Sequence, residues 1–181
     1  VITAEADRLL AAGGTRQFVE DVATEWLDLD QIDFTEPDRK LYRGFDAVVQ
    51  HSMLAETRAV LVDALHNDAP ISELFATEST YLNSRLARYY SVDGVTGDEL
   101  RRIALPADSH RGGLLTQGAI LKVTANGSTT SPIVRGAWVA ERLLGCEIPP
   151  PPSGIPALEP DIRGATTIRQ QLAKHRADTA C

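Results

Sequence analysis

Cysteine and aromatic residues are scarce in this chain of 181 residues. Cysteine occurs only twice, as Cys146 and Cys181, which excludes a small fold held together by several disulfides but permits a single one. Phe, Trp and Tyr together make up 6% of the residues, so aliphatic side chains must fill most of any core. Because the chain is still 43% hydrophobic and 24% charged, it has the composition of an ordinary globular protein.

Positive charge and long apolar runs are also lacking. The chain has 18 Lys and Arg against 25 Asp and Glu, which gives a formal net charge of −7. Binding to nucleic acid requires clustered basic residues that neutralise phosphates, so we expect no nucleic-acid partner. No apolar run approaches the ~18 residues that a transmembrane helix needs, so the sequence predicts no membrane span.

The two ends of the sequence suggest a piece of a longer protein. The chain begins at Val1 without an initiator methionine, and it stops at Cys181 directly after the basic stretch KHRADTA. A natural C-terminus is usually polar and solvated, so we interpret the chain as an internal segment. The lack of a visible signal peptide therefore does not indicate the compartment.

The common catalytic and metal-binding motifs are missing. The histidines have no HxxxH or HExxH spacing, no serine lies in a GxSxG motif, and HRGGLLTQG lacks the full pattern of a phosphate-binding loop. His110 lies beside glycines and near an aspartate, where it could be a loop ligand, but a solvated loop histidine is the simpler interpretation. Asp28, Asp30 and Asp33 lack the glycine and glutamate of a calcium loop. We therefore predict no catalytic residue and no metal ligand.

Helical periodicity dominates the sequence and predicts a mainly α, bundle-like fold. Phe18, Val22 and Trp26 recur at i, i+4 and i+8, with Thr15 as the N-cap. Val19, Ala23 and Leu27 lie beside them at the same spacing, so the six residues predict one wide buried stripe. Similar patterns predict that Trp138 is buried and that Met53 fills a gap in the core. PISELF predicts a short turn. The predicted helices are ITAEADRLLAA, TRQFVEDVATEWLDL, PDRKLYRGF, FDAVVQHSMLAETRAVLVDAL, TYLNSRLARYYSV, GLLTQGAILKVT, SPIVRGAWVAERLLG and TTIRQQLAKHRA.

Several local signals interrupt or end these helices. RRIAL favours a short strand in a Gly-rich irregular segment, and Asn126-Gly127 predicts a turn. Ser131 before Pro132 predicts a helix start, and Thr167 with Gln170 predicts a capping box. The run CEIPPPPSGIPALEP cannot be helical and predicts a polyproline strap. The strap could bind an aromatic groove, although a stiff connector is the commoner role of such a run.

The order of several stretches resembles a known family. PDRKLYRGFD, YLNSRLARYY, HRGGLLTQGAILKVTANGSTTSPIVRGAWVAERLLG, the proline strap and DIRGATTIRQQLAKHRADTAC occur in this order, as in the secreted cytochrome-like proteins of planctomycete type. Those proteins join domains of unknown function to c-type haem motifs. The resemblance implies two adjoining domains, at 1–105 and 106–181, and a periplasmic or secreted location.

The same resemblance gives Cys181 a chemical role. In that family the matching stretch continues as C-x-x-C-H, so Cys181 falls on the first cysteine of a motif that attaches haem c. The second cysteine and the axial histidine are not in this chain, which therefore cannot hold a covalent haem alone. A disulfide to Cys146 and a free thiol are the alternatives for Cys181. Met53 as an axial ligand is the alternative to its place in the core.

Three functions remain open on the sequence alone. The first is a helical segment that scaffolds a haem for electron transfer, with the rest of the longer protein or other redox proteins as partners. The second is a non-catalytic binding or assembly subunit of a larger complex. The third is an oxidative enzyme module, which a pocket formed by His110, Arg111 and acidic neighbours would support.

Overall fold

The computed structural model of the chain describes residues 2–9, 11, 14–149 and 167–177. The chain divides into two compact units, Val1–Glu147 and Ile148–Cys181. The fold is mainly helical, as predicted, with one two-stranded sheet among the described residues. The α-helices are α1 (Ile2–Leu9), α2 (Thr15–Trp26), α3 (Ala47–His66), α4 (Ile71–Phe75), α5 (Ser84–Tyr90), α6 (Gly118–Val123), α7 (Pro132–Trp138) and α8 (Ile168–Ala177). The domain boundary at residue 105 stays a prediction.

The wide stripe predicted for α2 combines two narrower stripes, and the helix buries only one of them. Thr15 is not the N-cap but a buried residue of the first turn, and Val19 and Ala23 continue this buried stripe. Phe18 is 55% exposed and Val22 42% exposed, so this part of the prediction was wrong. The predicted burial of Val19, Ala23 and Leu27 is confirmed. Both stripes have a spacing of four residues, so periodicity alone could not distinguish them. The small Ala23 lies on the face that is fully buried.

The segment before α3 forms turns rather than the predicted short helix PDRKLYRGF. Asp38 Oδ1 accepts from the backbone N–H of Lys40 at 2.7 Å, which favours a local turn over a helix. Helix α3 then begins after Asp46, whose Oδ1 accepts from the N–H of Val49 at 2.9 Å. This contact satisfies one of the N–H groups that a helix start leaves without a partner.

The stretch TYLNSRLARYYSV, predicted as one helix, is a strand followed by a helix. Strand β1 (Ser79–Leu82) pairs antiparallel with β2 (Arg101–Ala104), with Ser79 opposite Ala104 and Leu82 opposite Arg101. The predicted strand RRIAL is thereby confirmed. Asn83 ends β1 and caps α5, since its Oδ1 accepts from the N–H of Leu86 at 2.8 Å. The cap explains why the helix cannot extend backwards through Thr80 and Tyr81.

The Gly-rich segment packs closely and then returns to helix. A 3₁₀ turn, Leu114–Thr116, precedes α6, so only part of the predicted helix GLLTQGAILKVT is α-helical. Gly113 has φ +89° and a Cβ there would lie 2.4 Å from the backbone of Phe75, so only glycine fits.

The remaining signals of the first unit are confirmed. Asn126-Gly127 forms a turn, with Gly127 at φ +87°. Ser131 Oγ caps α7 by accepting from the N–H of Val134 at 3.3 Å. A π-helical turn, Val139–Leu143, continues α7.

The core of the first unit lies where α3, α5 and α6 meet the 3₁₀ segment Leu29–Asp33. Trp138 is 7% exposed and Met53 4%, as predicted. Trp26 is only half-buried, and its Nε1 donates to the carbonyl of Arg142 at 2.7 Å. The fully buried side chains are mostly aliphatic, and the largest are Leu27, Leu82, Leu86, Leu114, Ile120, Glu56, Val49, Thr57 and Thr124.

The described part of the second unit is centred on α8. Its predicted capping box is confirmed: the N–H of Thr167 donates to Gln170 Oε1 at 3.1 Å, and the N–H of Gln170 donates to Thr167 Oγ1 at 3.2 Å. Most of the predicted proline strap and Cys181 lie outside the described residues. Cys146, the last but one residue of the first unit, is exposed.

Candidate binding pocket

The first unit contains a cavity of about 370 Å³ beside the core. Its walls come from the loop after the 3₁₀ segment Leu29–Asp33, from α3, α5, α6 and α7, and from the loops before the 3₁₀ turn Leu114–Thr116 and before α7. This volume is in the lower part of the range of small-molecule sites. The lining residues are Thr35, Pro37, Tyr42, Phe45, Met53, Tyr89, Tyr90, Arg111, Gly118, Leu121, Lys122, Ala125, Gly127, Thr130 and Arg135.

Aromatic rings form one side of the pocket. The rings of Phe45 and Tyr89 meet edge to face, with their centroids 6.0 Å apart. Tyr89 in turn contacts Tyr90 at 6.2 Å between ring centroids. Rings in these arrangements hold one another in place, and together they form a firm apolar surface. A planar apolar group could therefore pack against this side.

Arg111 lies over the face of Tyr90. Its guanidinium carbon is 3.5 Å from the ring centroid, which is a close cation–π contact. Its Nη1 also donates to the carbonyl of Thr116 at 2.8 Å. These two contacts fix a positive charge at the wall of the pocket.

Lys122 and Arg135 bring two more positive charges to the same pocket. Lys122 Nζ donates to the backbone carbonyls of Ile32 and Thr35, the latter at 2.8 Å. Arg135 donates from Nε to Thr124 Oγ1 at 3.1 Å and from Nη2 to Thr130 Oγ1 at 2.9 Å. Burial lowers the pKa of both groups, and the nearby Asp33 partly offsets this effect for Lys122. All these hydrogen-bond partners are neutral.

A buried carboxyl group supports the pocket from behind. Glu56 is 2% exposed, and it accepts from Thr80 Oγ1 at 2.6 Å and from the hydroxyl of Tyr90 at 2.7 Å. Burial raises the pKa of Glu56, although both hydrogen bonds and the charge of Arg111 oppose the shift. Burial is also the main cause of the raised pKa of Tyr90. The four residues Glu56, Thr80, Tyr90 and Arg111 are called the Glu56 network below.

Gly118 allows the network to reach α6. Its backbone N–H donates to the hydroxyl of Tyr90 at 2.8 Å. A Cβ at this position would lie 2.4 Å from that hydroxyl oxygen and 2.7 Å from Met53 Cγ. The glycine, which weakens the helical pattern in the sequence, is therefore a site of close packing.

The candidate residues from the sequence analysis lie in different parts of the structure. Arg111 lines the pocket, whereas His110 is exposed and outside it. Met53 lies both in the core and on the pocket wall. Asp28 forms an ion pair with Arg142, and Asp33 accepts from Gln50 Nε2 at 2.6 Å. Cys181, the predicted attachment site for haem, lies outside the described residues.

Sequence reasoning missed Glu56, Tyr90, Lys122 and Arg135 as a group. One signal was present: Glu56 follows Val49 by seven residues and so lies on the apolar face of α3. A charged residue on such a face indicates a buried partner. The partner itself, Thr80 or Tyr90, could not be read from the spacing.

The described residues contain neither a cluster of metal ligands nor a C-x-x-C-H motif. Within them no cluster of three or more His, Cys, Asp or Glu side chains is suited to a metal ion. The described cysteine, Cys146, is followed by Glu147 and Ile148 and thus has no C-x-x-C-H context. Over the same residues, no helix is both long and apolar enough to cross a bilayer.

Two family profiles match the chain. Residues 1–92 match PSD4, a protein of unknown function (DUF1592), and residues 111–181 match PSCyt3, a protein of unknown function (DUF1588). Both are planctomycete cytochrome-like families, which confirms that part of the predicted resemblance. No curated protein and no solved structure matches the chain. Since the first profile covers just over half of the residues, the chain belongs to the PSD4 (DUF1592) family.

Proposed function

We propose that this chain is a helical segment of an extracytoplasmic c-type cytochrome-like protein, in which it scaffolds a haem for electron transfer. The observation that carries the proposal is the PSCyt3 match, which extends over residues 111–181 and so includes Cys181. Attachment of c-type haem takes place outside the cytoplasm, so the proposal includes a periplasmic or secreted location.

The described residues supply the scaffold and not the haem ligands. Helix α8, with its capping box, ends at Ala177, four residues before Cys181 in the sequence. A haem bound through thioethers needs two cysteines and an axial histidine in a C-x-x-C-H motif. Cys181 would supply the first thioether, and the remainder of the longer protein would supply the other two groups. Electrons would then pass between this haem and other redox centres or proteins.

The test is a haem analysis of the longer protein produced with cytochrome-maturation machinery. We expect covalent haem in a stained gel, and a haem adduct on the peptide that contains Cys181 in mass spectrometry. Cys181→Ser should remove the adduct from this site, and the matched variant Cys146→Ser should keep it. A protein without covalent haem, or a cross-link between Cys146 and Cys181, would refute the proposal.

The pocket gives support to one of the two alternatives. A binding subunit is favoured by three cations and an aromatic wall around one cavity. The oxidative enzyme module depended on His110 in a pocket with Arg111 and acidic groups. Arg111 lines the cavity and Glu56 lies behind Tyr90, but His110 is elsewhere. Binding is therefore the second candidate function.

A further inference from the structure

We propose that the pocket of the first unit binds a small organic anion, namely a carboxylate carried on a flat, apolar body. The ligand would place its carboxylate among Arg111, Lys122 and Arg135, and its body against the aromatic side. This proposal concerns the pocket alone and is independent of the haem at Cys181.

The distribution of charge is the first argument. The chain carries seven more acidic than basic residues, 25 against 18. The residues that line the pocket nevertheless include three basic side chains and neither Asp nor Glu. A cavity with one sign of charge attracts ions of the opposite sign, and low-dielectric walls strengthen the field. The pocket is thus a positive site in an acidic protein.

The unused hydrogen-bond donors are the second argument. A guanidinium has five N–H donors, and Arg135 uses donors on two of its nitrogens, toward Thr124 and Thr130. The guanidinium of Arg111 makes one conventional hydrogen bond to the described residues, with the carbonyl of Thr116. Within the described part of the chain, no carboxylate lies within ion-pair distance of Arg111, Lys122 or Arg135. A bound carboxylate could accept from their remaining donors in charge-assisted hydrogen bonds.

The cost of burying these charges supports the same conclusion. Partial burial lowers the pKa of Lys122 and Arg135, which means that the protein destabilises their charged forms. An anion in the cavity would offset this cost. Asp33 interacts electrostatically with Lys122, and Glu56 interacts with Arg111. Neither carboxyl group lines the cavity.

The apolar wall defines the rest of the ligand. Phe45, Tyr89, Leu121 and Met53 line the cavity, and the first two are fixed edge to face. An inorganic anion would leave this surface without a partner, whereas an aromatic ring would bury it. A cavity of about 370 Å³ suits a ligand of one or two rings.

Isothermal titration calorimetry on the full 181-residue chain tests the proposal, with 2-naphthoate as the probe. The neutral isostere 2-naphthamide and inorganic phosphate test the two halves of the ligand separately. We expect 2-naphthoate to bind at least about tenfold more tightly than either. Added salt should weaken the binding of 2-naphthoate, because attraction to the cations is screened. This salt titration needs no variant and therefore does not depend on the folding of a mutant.

A matched pair of variants locates the site. Arg135→Gln should weaken the binding of 2-naphthoate about tenfold or more. Arg88→Gln removes an exposed arginine of α5 that does not line the pocket, and it should leave the affinity unchanged. The proposal would be overturned if 2-naphthoate did not bind. It would also be overturned if 2-naphthamide or phosphate bound as tightly as 2-naphthoate. So would a loss of affinity in Arg88→Gln that equals the loss in Arg135→Gln.

Discussion

The two halves of helix α3 differ in what they bury. The first half, residues 47–57, contains every buried position of the helix: Val49, Ser52, Met53, Glu56 and Thr57. The second half, residues 58–66, has none, although it includes the apolar run AVLVDAL. The more polar half of the helix is therefore the more deeply buried one.

Hydrogen-bond partners from other elements explain the difference. In the first half, Ser52 Oγ accepts from Asn83 Nδ2 at 3.0 Å, and Thr57 Oγ1 donates to Gln117 Oε1 at 2.7 Å. Glu56 accepts hydrogen bonds from Thr80 and Tyr90, which belong to the Glu56 network. Polar groups can be buried without a large penalty only when such partners are present. In α3, the buried polar side chains thus lie where other elements supply hydrogen-bond partners.

The second half of α3 instead forms part of the wall of an open apolar groove. Leu61, Ala64 and Leu65 line this groove together with residues of α2 and α4, and its volume is about 300 Å³. Leu65 remains 37% exposed and Ile71 70% exposed. This end of the helix is thus only partly buried.

Truncation of one apolar side chain in each half should give the largest contrast. Met53→Ala removes a side chain that is 4% exposed and should lower the free energy of unfolding by about 2–5 kcal/mol. Leu65→Ala, in the second half, should cost about 1 kcal/mol or less, because much of its side chain already contacts water. Urea denaturation of both variants measures the difference. Similar losses would show that the two halves are equally central.

Removal of one hydroxyl tests the network that holds the first half. Tyr90→Phe removes the hydroxyl partner of Glu56 Oε2 and of the N–H of Gly118, so we expect a loss of about 1–3 kcal/mol. Tyr89→Phe is the matched control, because its hydroxyl has no hydrogen bond within the described residues. It should change stability by less than about 0.5 kcal/mol. Equal effects in chemical denaturation would contradict the role given to the network.

The pH dependence of stability should show that the carboxyl group of Glu56 is buried. Of the three predicted changes in stability, we expect this one to be the smallest. Burial raises its pKa in the folded state above the ordinary value of 4.5. The folded state therefore holds this proton more tightly, and the stability gained below pH 4.5 is lost as the pH rises through the folded pKa. The difference in unfolding free energy between the wild type and Glu56→Gln should decrease with rising pH. An increase over this range would show that the charged form is the favoured one.

Local chemistry made part of the fold predictable from the sequence. Ser131 before Pro132, the Asn126-Gly127 turn and the capping box at Thr167 act within four residues, and all three are confirmed. The mainly helical class and the cytochrome-like families were also predicted correctly. The role of Cys181 in haem attachment stays a prediction.

Distant partners made the remainder unpredictable. The face that α2 buries and the division of TYLNSRLARYYSV depend on packing and on pairing between β1 and β2. The pocket depends on contacts such as Thr57 to Gln117, which are sixty residues apart in the sequence. A single sequence gives the identities of the two residues in such a pair, but it does not indicate that they lie close together. Glu56 on an apolar helix face was the one visible indication.

Native-state hydrogen exchange on α3 tests the central claim most directly, namely that the Glu56 network anchors the first half of the helix. The amides of residues 53–57 should exchange only through global unfolding, with a free energy that follows the denaturant-measured stability. The amides of residues 62–66 should exchange faster, through local opening. In Tyr90→Phe, the protection of the first half should fall more than that of the second. Equal protection of both halves in the wild type, or a slower exchange in the second half, would contradict the account.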